Sequence, residues 1–367
     1  MRKIKSIAHI TTVHDYADTR ITQRMCKSIS DDFNFDGSII CFNAHLIKNE
    51  KLNKISLGSK QPRTKRLFFL YKVLNIIRNN NFNIIHLHDI ELFFLIFFID
   101  NNQIKVVFDL HENYWVSILD KHYLPKSLRK IIQSLVNVYL SICIKKADAI
   151  VTAWPKINEM IKHKSITTIN NYPTFKTVEV NKNLKGTINF VFSGLLSFER
   201  GFKEALDFFQ LFSKFNLSEL RVIGRFKSTQ EELYFDKKLK EIDNISYYEW
   251  LPQHKLYKNM QWANYGFIYF HDIKNHRHSI PNKLFEYMQN GVVPLCSNLP
   301  FLNEFILKNN SGFSLNIYDH NENIKKISLS SSAYTTILSN IESTSQRFIW
   351  GNEYYKLNKL YNHLCLS

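Results

Sequence analysis

Between Pro281 and Ser297 the chain runs from a helix start through a glycine stop into an apolar strand, and few folds accommodate that order at such short spacing. Pro281 has the fixed φ and the missing N–H donor that suit a first helical turn, and Gly291 tolerates the left-handed conformation that commonly ends a helix. The helix so predicted has about ten residues and a length of roughly 15 Å. Leu284, Phe285 and Met288 form its apolar side, while Lys283 and Glu286, three residues apart, share another face. Residues 292–297 read as a brief buried strand, so the unit is loop, helix and strand of an α/β domain. A helix start favours phosphate, and a carboxylate a turn deeper can accept hydrogen bonds from sugar hydroxyls. Together they suit a nucleotide-sugar.

The same alternation recurs along the chain. Residues 5–13, 38–42, 83–91, 105–112 and 146–152 read as strands, with helical patterns at 21–29, 63–78 and 128–144. A polar stretch at 178–186 reads as a linker. Strands are then predicted at 187–194, 220–225, 245–252, 266–270 and 312–315, with a helix at 202–212 and a terminal amphipathic helix at 348–364. This order predicts two doubly wound α/β domains, 1–177 together with 348–367, and 178–347. A chain of 367 residues exceeds the usual size of one core, and 45% hydrophobic residues can fill two. Ligands in such sheets bind at the carboxyl ends of strands. There the first half gathers Asp18 and Arg20, then His88, Asp89 and Glu91, then Asp109, His111 and Glu112. The second half offers the loop from Gly194 to Gly201 with Arg200, a glycine-bounded turn into a helix of the kind that holds a diphosphate.

The run Pro281-x-Lys-Leu-Phe-Glu-Tyr-Met-x-x-Gly291 resembles the donor-binding signature of glycosyltransferase family 4, retaining enzymes of the GT-B fold. The resemblance implies two Rossmann-like domains facing across a cleft, with the terminal helix crossing back to the first. It implies that Glu286 binds the nucleotide ribose and that His278, where the family often has an acidic residue, faces the donor sugar. His111, in a loop similar to the family's, would approach that sugar. Arg200-Gly201 matches the diphosphate loop. Leu195 stands where a second cation is usual, a part left to Lys283 or Arg225. Gly194, Gly201, Ser279, Trp250 and Leu251 complete the implied donor site, the last two framing the base. Asp18, Arg20, His88, Asp89 and Glu112 would then face the acceptor. His111, Arg200, Lys283 and His278 form the implied catalytic set. The His86, His88, Asp89 and His111 cluster has a second reading, a zinc or manganese site of a hydrolase. A non-catalytic protein that binds nucleotide-sugar or nucleic acid is a third.

A net charge of +16 points to an anionic partner. Lysine is spread along the chain and no nucleic-acid motif occurs, so an anionic membrane face is expected and nucleic acid is not. The longest apolar run, Leu92 to Ile99, is far short of a bilayer span. Five scattered cysteines without a CxxC pair suggest reduced thiols and a cytoplasmic setting. The expectation is a retaining transferase that moves a sugar from a nucleotide-sugar to a surface polysaccharide, lipopolysaccharide or lipid-linked oligosaccharide at the inner membrane face. It would need no cofactor or metal, because Arg200 and Lys283 supply positive charge and no Asp-x-Asp sequence is present.

Overall fold

The computed structural model describes residues 4–100, 102–111, 126–174, 182, 184, 186–277, 279–328 and 331–366. The chain forms two compact units, Met1–Asn171 with Trp350–Ser367, and Tyr172–Ile349. Each is an α/β unit built on one parallel sheet.

The first sheet holds β1 (Lys5–Asp15), β2 (Phe35–Phe42), β3 (Asn53–Ser56), β4 (Ile84–Leu87), β5 (Lys105–Leu110), β6 (Ala149–Thr152) and β7 (Ile166–Thr168), in the order β3-β2-β1-β4-β5-β6-β7. Its middle strand β4 is buried end to end because helices cover both faces, and apolar residues such as Ile84, Ile85 and Leu87 are what such a strand requires. β3 escapes sequence patterning for the opposite reason. It is an exposed edge strand of sequence Asn-Lys-Ile-Ser.

Parallel neighbours need crossovers of one hand, so connections that run in the same direction across a sheet lie on the same face. The Phe69–Arg78 helix, the 3₁₀ turns at Ile90–Phe97 and the Lys126–Lys146 helix all join strands in the β3-to-β6 direction. They share one core with Val73, Ile77, Phe93, Phe108, Leu140 and Cys143. The predicted helix at 63–78 is thus α-helical only from Phe69, with a 3₁₀ lead-in at Arg63–Phe68. The opposite face carries Met25 and Ile29 and the terminal helix Trp350–Leu366, which buries Leu357, Leu360, Tyr361 and Leu364. Polar contacts fix the helix there: Trp350 Nε1 donates to Ser28 Oγ at 2.7 Å, and the Asn170 N–H donates to Glu353 Oε2 at 2.7 Å.

The second sheet holds β8 (Ile188–Leu196), β9 (Ser218–Phe226), β10 (Ile245–Tyr248), β11 (Tyr265–Ile268), β12 (Val293–Ser297) and β13 (Phe313–Leu315), in the order β10-β9-β8-β11-β12-β13. Its core is phenylalanine-rich, with Phe190 edge-on to Phe208, Phe209 and Phe212. The predicted unit at 281–297 is present as the helix Asn282–Gln289, with Pro281 as N-cap, leading into β12. At Gly266 any side chain would collide with the Tyr287 ring, 2.5 Å from a Cβ built there, so the helix sits tight on β11.

Within the first unit Tyr361 is fully buried and its hydroxyl lies 2.7 Å from His86 Nδ1 and 3.2 Å from His9 Nε2. Tyr361→Phe keeps the ring packing and strands both nitrogens away from water. It is expected to lower the unfolding free energy by about 1–3 kcal/mol, read by chemical denaturation. An unchanged midpoint would mean that the hydroxyl bonds contribute nothing.

Candidate functional site

In the second unit β8 ends at Leu196, a 3₁₀ turn follows at Phe198–Arg200, and Gly201 starts the helix Phe202–Ser213. Gly201 has φ +68°, and a Cβ there would lie 1.7 Å from the Tyr269 carbonyl oxygen, so no other residue fits this turn. The turn aims Arg200 back over β8. The helix Asn282–Gln289 brings Lys283 to the same point from the other side. A methyl group on Gly194 would sit 3.5 Å from Lys283 Nζ and 4.0 Å from Arg200 Nη1. Two cations thus converge above one glycine.

Among the described residues neither makes an ion pair with a carboxylate there. Lys283 Nζ is buried, has no hydrogen-bond partner among the described residues, and stands 4.7 Å from the centre of the Phe192 ring. Lys283 is pushed down to about 7, by burial first and then by the neighbouring Arg200, with Glu286 opposing the fall. Burial lowers Arg200 as well, and its guanidinium lies 5.8 Å from the Phe270 ring centre. Uncompensated buried charge is costly, so this arrangement favours a bound anion carrying more than one negative charge. Glu286, half-buried, lies on the same helix as Lys283. Tyr287 clamps that helix to β8, its hydroxyl donating to the Val191 carbonyl at 3.3 Å.

The other donor-site candidates fall around this point unevenly. Gly194 pairs with Gly224 in the β8–β9 register. Arg225, next along, is exposed and stacks 5.7 Å from the Trp250 ring centre, with Glu249 at 4.0 Å. Of the two residues offered as the second cation, Lys283 is the one that meets Arg200. Trp250 is 63% exposed, whereas Leu251 packs against the core. Ser279 is half-buried, and His278 lies outside the described residues. His276, which the sequence reading did not select, has its ring 4.5 Å from that of Phe270 and bonds the His271 carbonyl at 3.0 Å. Its signal was adjacency to the signature.

In the first unit the carboxyl edge carries a buried chain of polar groups. Arg20 grips Asp109 with two bonds of 2.9 Å and donates to the Ile169 carbonyl at 2.7 Å. Asp109 meets His88 Nδ1 at 2.9 Å, and His88 Nε2 meets His9 Nδ1 at 2.8 Å. Burial alone would raise the Asp109 carboxyl, but Arg20 and His88 hold it well below the usual carboxylate range. Burial pushes His88 down to about 3.

This changes the expectation for three acceptor residues. His88 is fully buried with both ring nitrogens bonded to protein, so here it positions Asp109 and His9. Arg20 is turned inward onto Asp109. Asp89 accepts from the Val13 N–H at 3.1 Å and the Thr11 hydroxyl at 2.9 Å, which makes it the clamp of the β1 loop. Asp18 caps the following helical turn through the Ile21 N–H at 2.7 Å and pairs with His14 at 2.8 Å. Burial would raise its carboxyl, but the His14 contact brings it below the usual range. The partly exposed members include His14, Asp18, Glu91 and His111, with His14 and His111 edge to face at 5.3 Å. His14 was missed, although His14 and Asp18 stand four residues apart. Glu112 lies outside the described residues.

These contacts do not favour the hydrolase reading. Among the described residues the nitrogens of His9, His86 and His88 approach within 4.8 Å of one another, but His9 and His88 are joined by their own hydrogen bond and His86 by one to Tyr361. Asp89 serves the loop instead.

No family model and no curated protein matches this chain. Solved structures do. Sucrose-phosphate synthase from Thermosynechococcus elongatus superposes with a TM-score of 0.70 at 13% identity, over 98% of this chain and 99% of that one. HepE from Anabaena, in complex with UDP and glucose, gives 0.71 at 11% identity over 98% and 100%. An α,α-trehalose 6-phosphate synthase from Burkholderia multivorans gives 0.65 at 8% identity over 100% and 99%. The fold is GT-B.

Within this GT-B chain Lys283 titrates where it can be read. Above pH 7 the free protein carries it neutral, and a bound diphosphate would restore the proton. Affinity for a nucleoside diphosphate is therefore expected to fall by about tenfold per pH unit from about pH 7.5 upward, where the ligand itself no longer titrates. Isothermal titration calorimetry across that range checks this. A flat profile in the wild type overturns it, and Lys283→Arg is expected to be flat.

Proposed function

We propose that this chain is a retaining glycosyltransferase of the family 4 type, a hexosyltransferase that moves a sugar from a nucleotide-sugar to a saccharide acceptor. The observation that carries the reading is the pair of cations above Gly194, which await a diphosphate. Arg200 and Lys283 stabilise negative charge as the diphosphate departs, and electrostatic help of this kind is among the largest contributions to such reactions. Glu286 receives the ribose hydroxyls, and the exposed face of Trp250, beside Arg225, receives the base. Retention follows from attack on the same face as departure, with the leaving phosphate taking the acceptor proton. His111 is the group proposed to meet sugar. Similar solved structures are complexes with UDP and glucose, UDP-glucose and UDP-2-fluoro glucose, which supports a nucleotide-sugar donor.

The acceptor is proposed to be a surface polysaccharide, lipopolysaccharide or lipid-linked oligosaccharide, met at the cytoplasmic face of the membrane. The charge of +16 supports that setting. No helix among the described residues is long and apolar enough to cross a membrane, so attachment is peripheral in this reading. No metal takes part, since two side-chain cations stand where a divalent ion would otherwise neutralise the diphosphate.

Thermal unfolding against UDP-, GDP-, ADP- and CMP-sugars and divalent metals tests the reading. One nucleotide at about a hundred times its dissociation constant adds roughly 2.7 kcal/mol of stability, and Glu286→Ala should abolish the shift. In turnover with that donor, Arg200→Ala is expected to lower kcat by about 10²–10³-fold. A shift with metal alone, or full activity in Arg200→Ala, would sink the proposal.

A further inference from the structure

The outer surface of the first unit's β3-to-β6 helical layer is apolar where a solvent-facing layer should be polar. On the Lys126–Lys146 helix, Leu140, Cys143 and Ile144 face the core. Ile131, Leu135, Val138 and Ile142 form a second stripe at i, i+4, i+7 and i+11, and are 58%, 65%, 59% and 46% exposed. The stripe has neighbours of the same kind. The adjacent turn exposes Phe94, Phe97 and Phe98, and it is tied to the helix by the Tyr139 hydroxyl, which donates to the Ile90 carbonyl at 2.7 Å. Beyond it, the segment Arg63–Arg78 exposes Leu67, Phe68 and Tyr71. Contiguous exposed apolar surface of this kind marks an interaction site.

The charge on this layer selects the partner. Neither Arg63–Arg78 nor Lys126–Lys146 contains an acidic residue. The longer helix carries Arg129 and Lys130 near its start and Lys145 and Lys146 at its end, with the stripe between them. Lys146 Nζ lies 5.5 Å from the Phe97 ring centre, so cation and aromatic meet at the edge of the patch. The shorter segment carries Lys65, Arg66, Lys72 and Arg78. Glu91, on the turn between them, is 3.9 Å from Arg66. An apolar face rimmed by cations, on helices that lie flat over a sheet, matches the depth profile of a bilayer surface: acyl chains below and anionic headgroups around.

We propose that this face docks the chain on an anionic lipid bilayer, with Ile131, Leu135, Val138 and Ile142 entering the headgroup boundary and the flanking lysines and arginines meeting lipid phosphates. It deepens the proposed function by naming the surface through which an enzyme acting on a membrane-borne acceptor would reach it, and rests on that reading only for its purpose.

Co-sedimentation of the full chain with phosphatidylcholine vesicles, with and without about a third of phosphatidylglycerol, tests it. Binding is expected only to the anionic vesicles. It is expected to weaken at least about tenfold in Leu135→Ser/Val138→Ser, which keeps every charge, and in Lys130→Glu/Lys145→Glu. The exposed pair Lys214→Glu/Lys240→Glu on the second unit makes the same change in net charge and should leave binding intact. Three results would overturn the proposal: wild-type binding by the serine variant, equal losses in both charge variants, or a lipid-free dimer that the serine variant breaks, since a second copy would then cover the face. The nucleotide-sugar thermal shift, which these substitutions should not alter, separates the two readings. Vesicle binding without that shift would remove the transferase reading alone. The shift without vesicle binding would remove the docking alone.

Discussion

The carboxylate of Asp109, fully buried at the end of β5, sets terms for much of the first unit. A charge in that position is tolerable only when paired and hydrogen-bonded, and each bond that satisfies it ties another piece of chain to the sheet. Arg20 brings in the loop after β1, and through the Ile169 carbonyl it also reaches the segment after β7. His88 brings the end of β4, His9 the middle of β1, and Tyr361 the terminal helix. Five separate stretches are registered by one chain of bonds.

The second unit handles charge in the opposite sense. Lys283 and Arg200 approach each other with no carboxylate bonded to either among the described residues, and the tight glycine turn at Gly201 keeps them there. In the proposed function the compensation is left to a ligand. One unit pairs its ionisable groups within the protein, the other leaves two without a protein counter-charge, and the difference follows from whether the local fold supplies it.

The legible parts of the sequence were those where residue type and spacing act locally. Pro281 and Gly291 announce a helix, the apolar runs announce buried strands, and Gly201 announces a turn no side chain would fit. Edge strands and polar helices gave less. β3 has no apolar run because it buries little, and the helix Thr229–Leu239 buries only Glu231 and Phe235. The site followed the same rule. Arg200 and Lys283 sit on elements with clear signals, and the structure brings the two side chains together over Gly194. His88 and Arg20 were recognised as special, yet the pattern that singled them out is the same for a ligand contact and for a buried ion pair. Only the distances from Asp109 separate the two.

The placement of Tyr361 carries a consequence for how such a chain comes into being. The last partner of the first unit's hydrogen-bond chain is supplied after the whole second unit in sequence order. While the chain is emerging from a ribosome, the first sheet can assemble, but the sheet face that Tyr361 will cover stays open and His9 and His86 lack their hydroxyl. The first half of this protein is therefore finished last, and a translation stopped anywhere before residue 350 leaves it with an uncovered apolar face on which water, not Tyr361, meets His9 and His86.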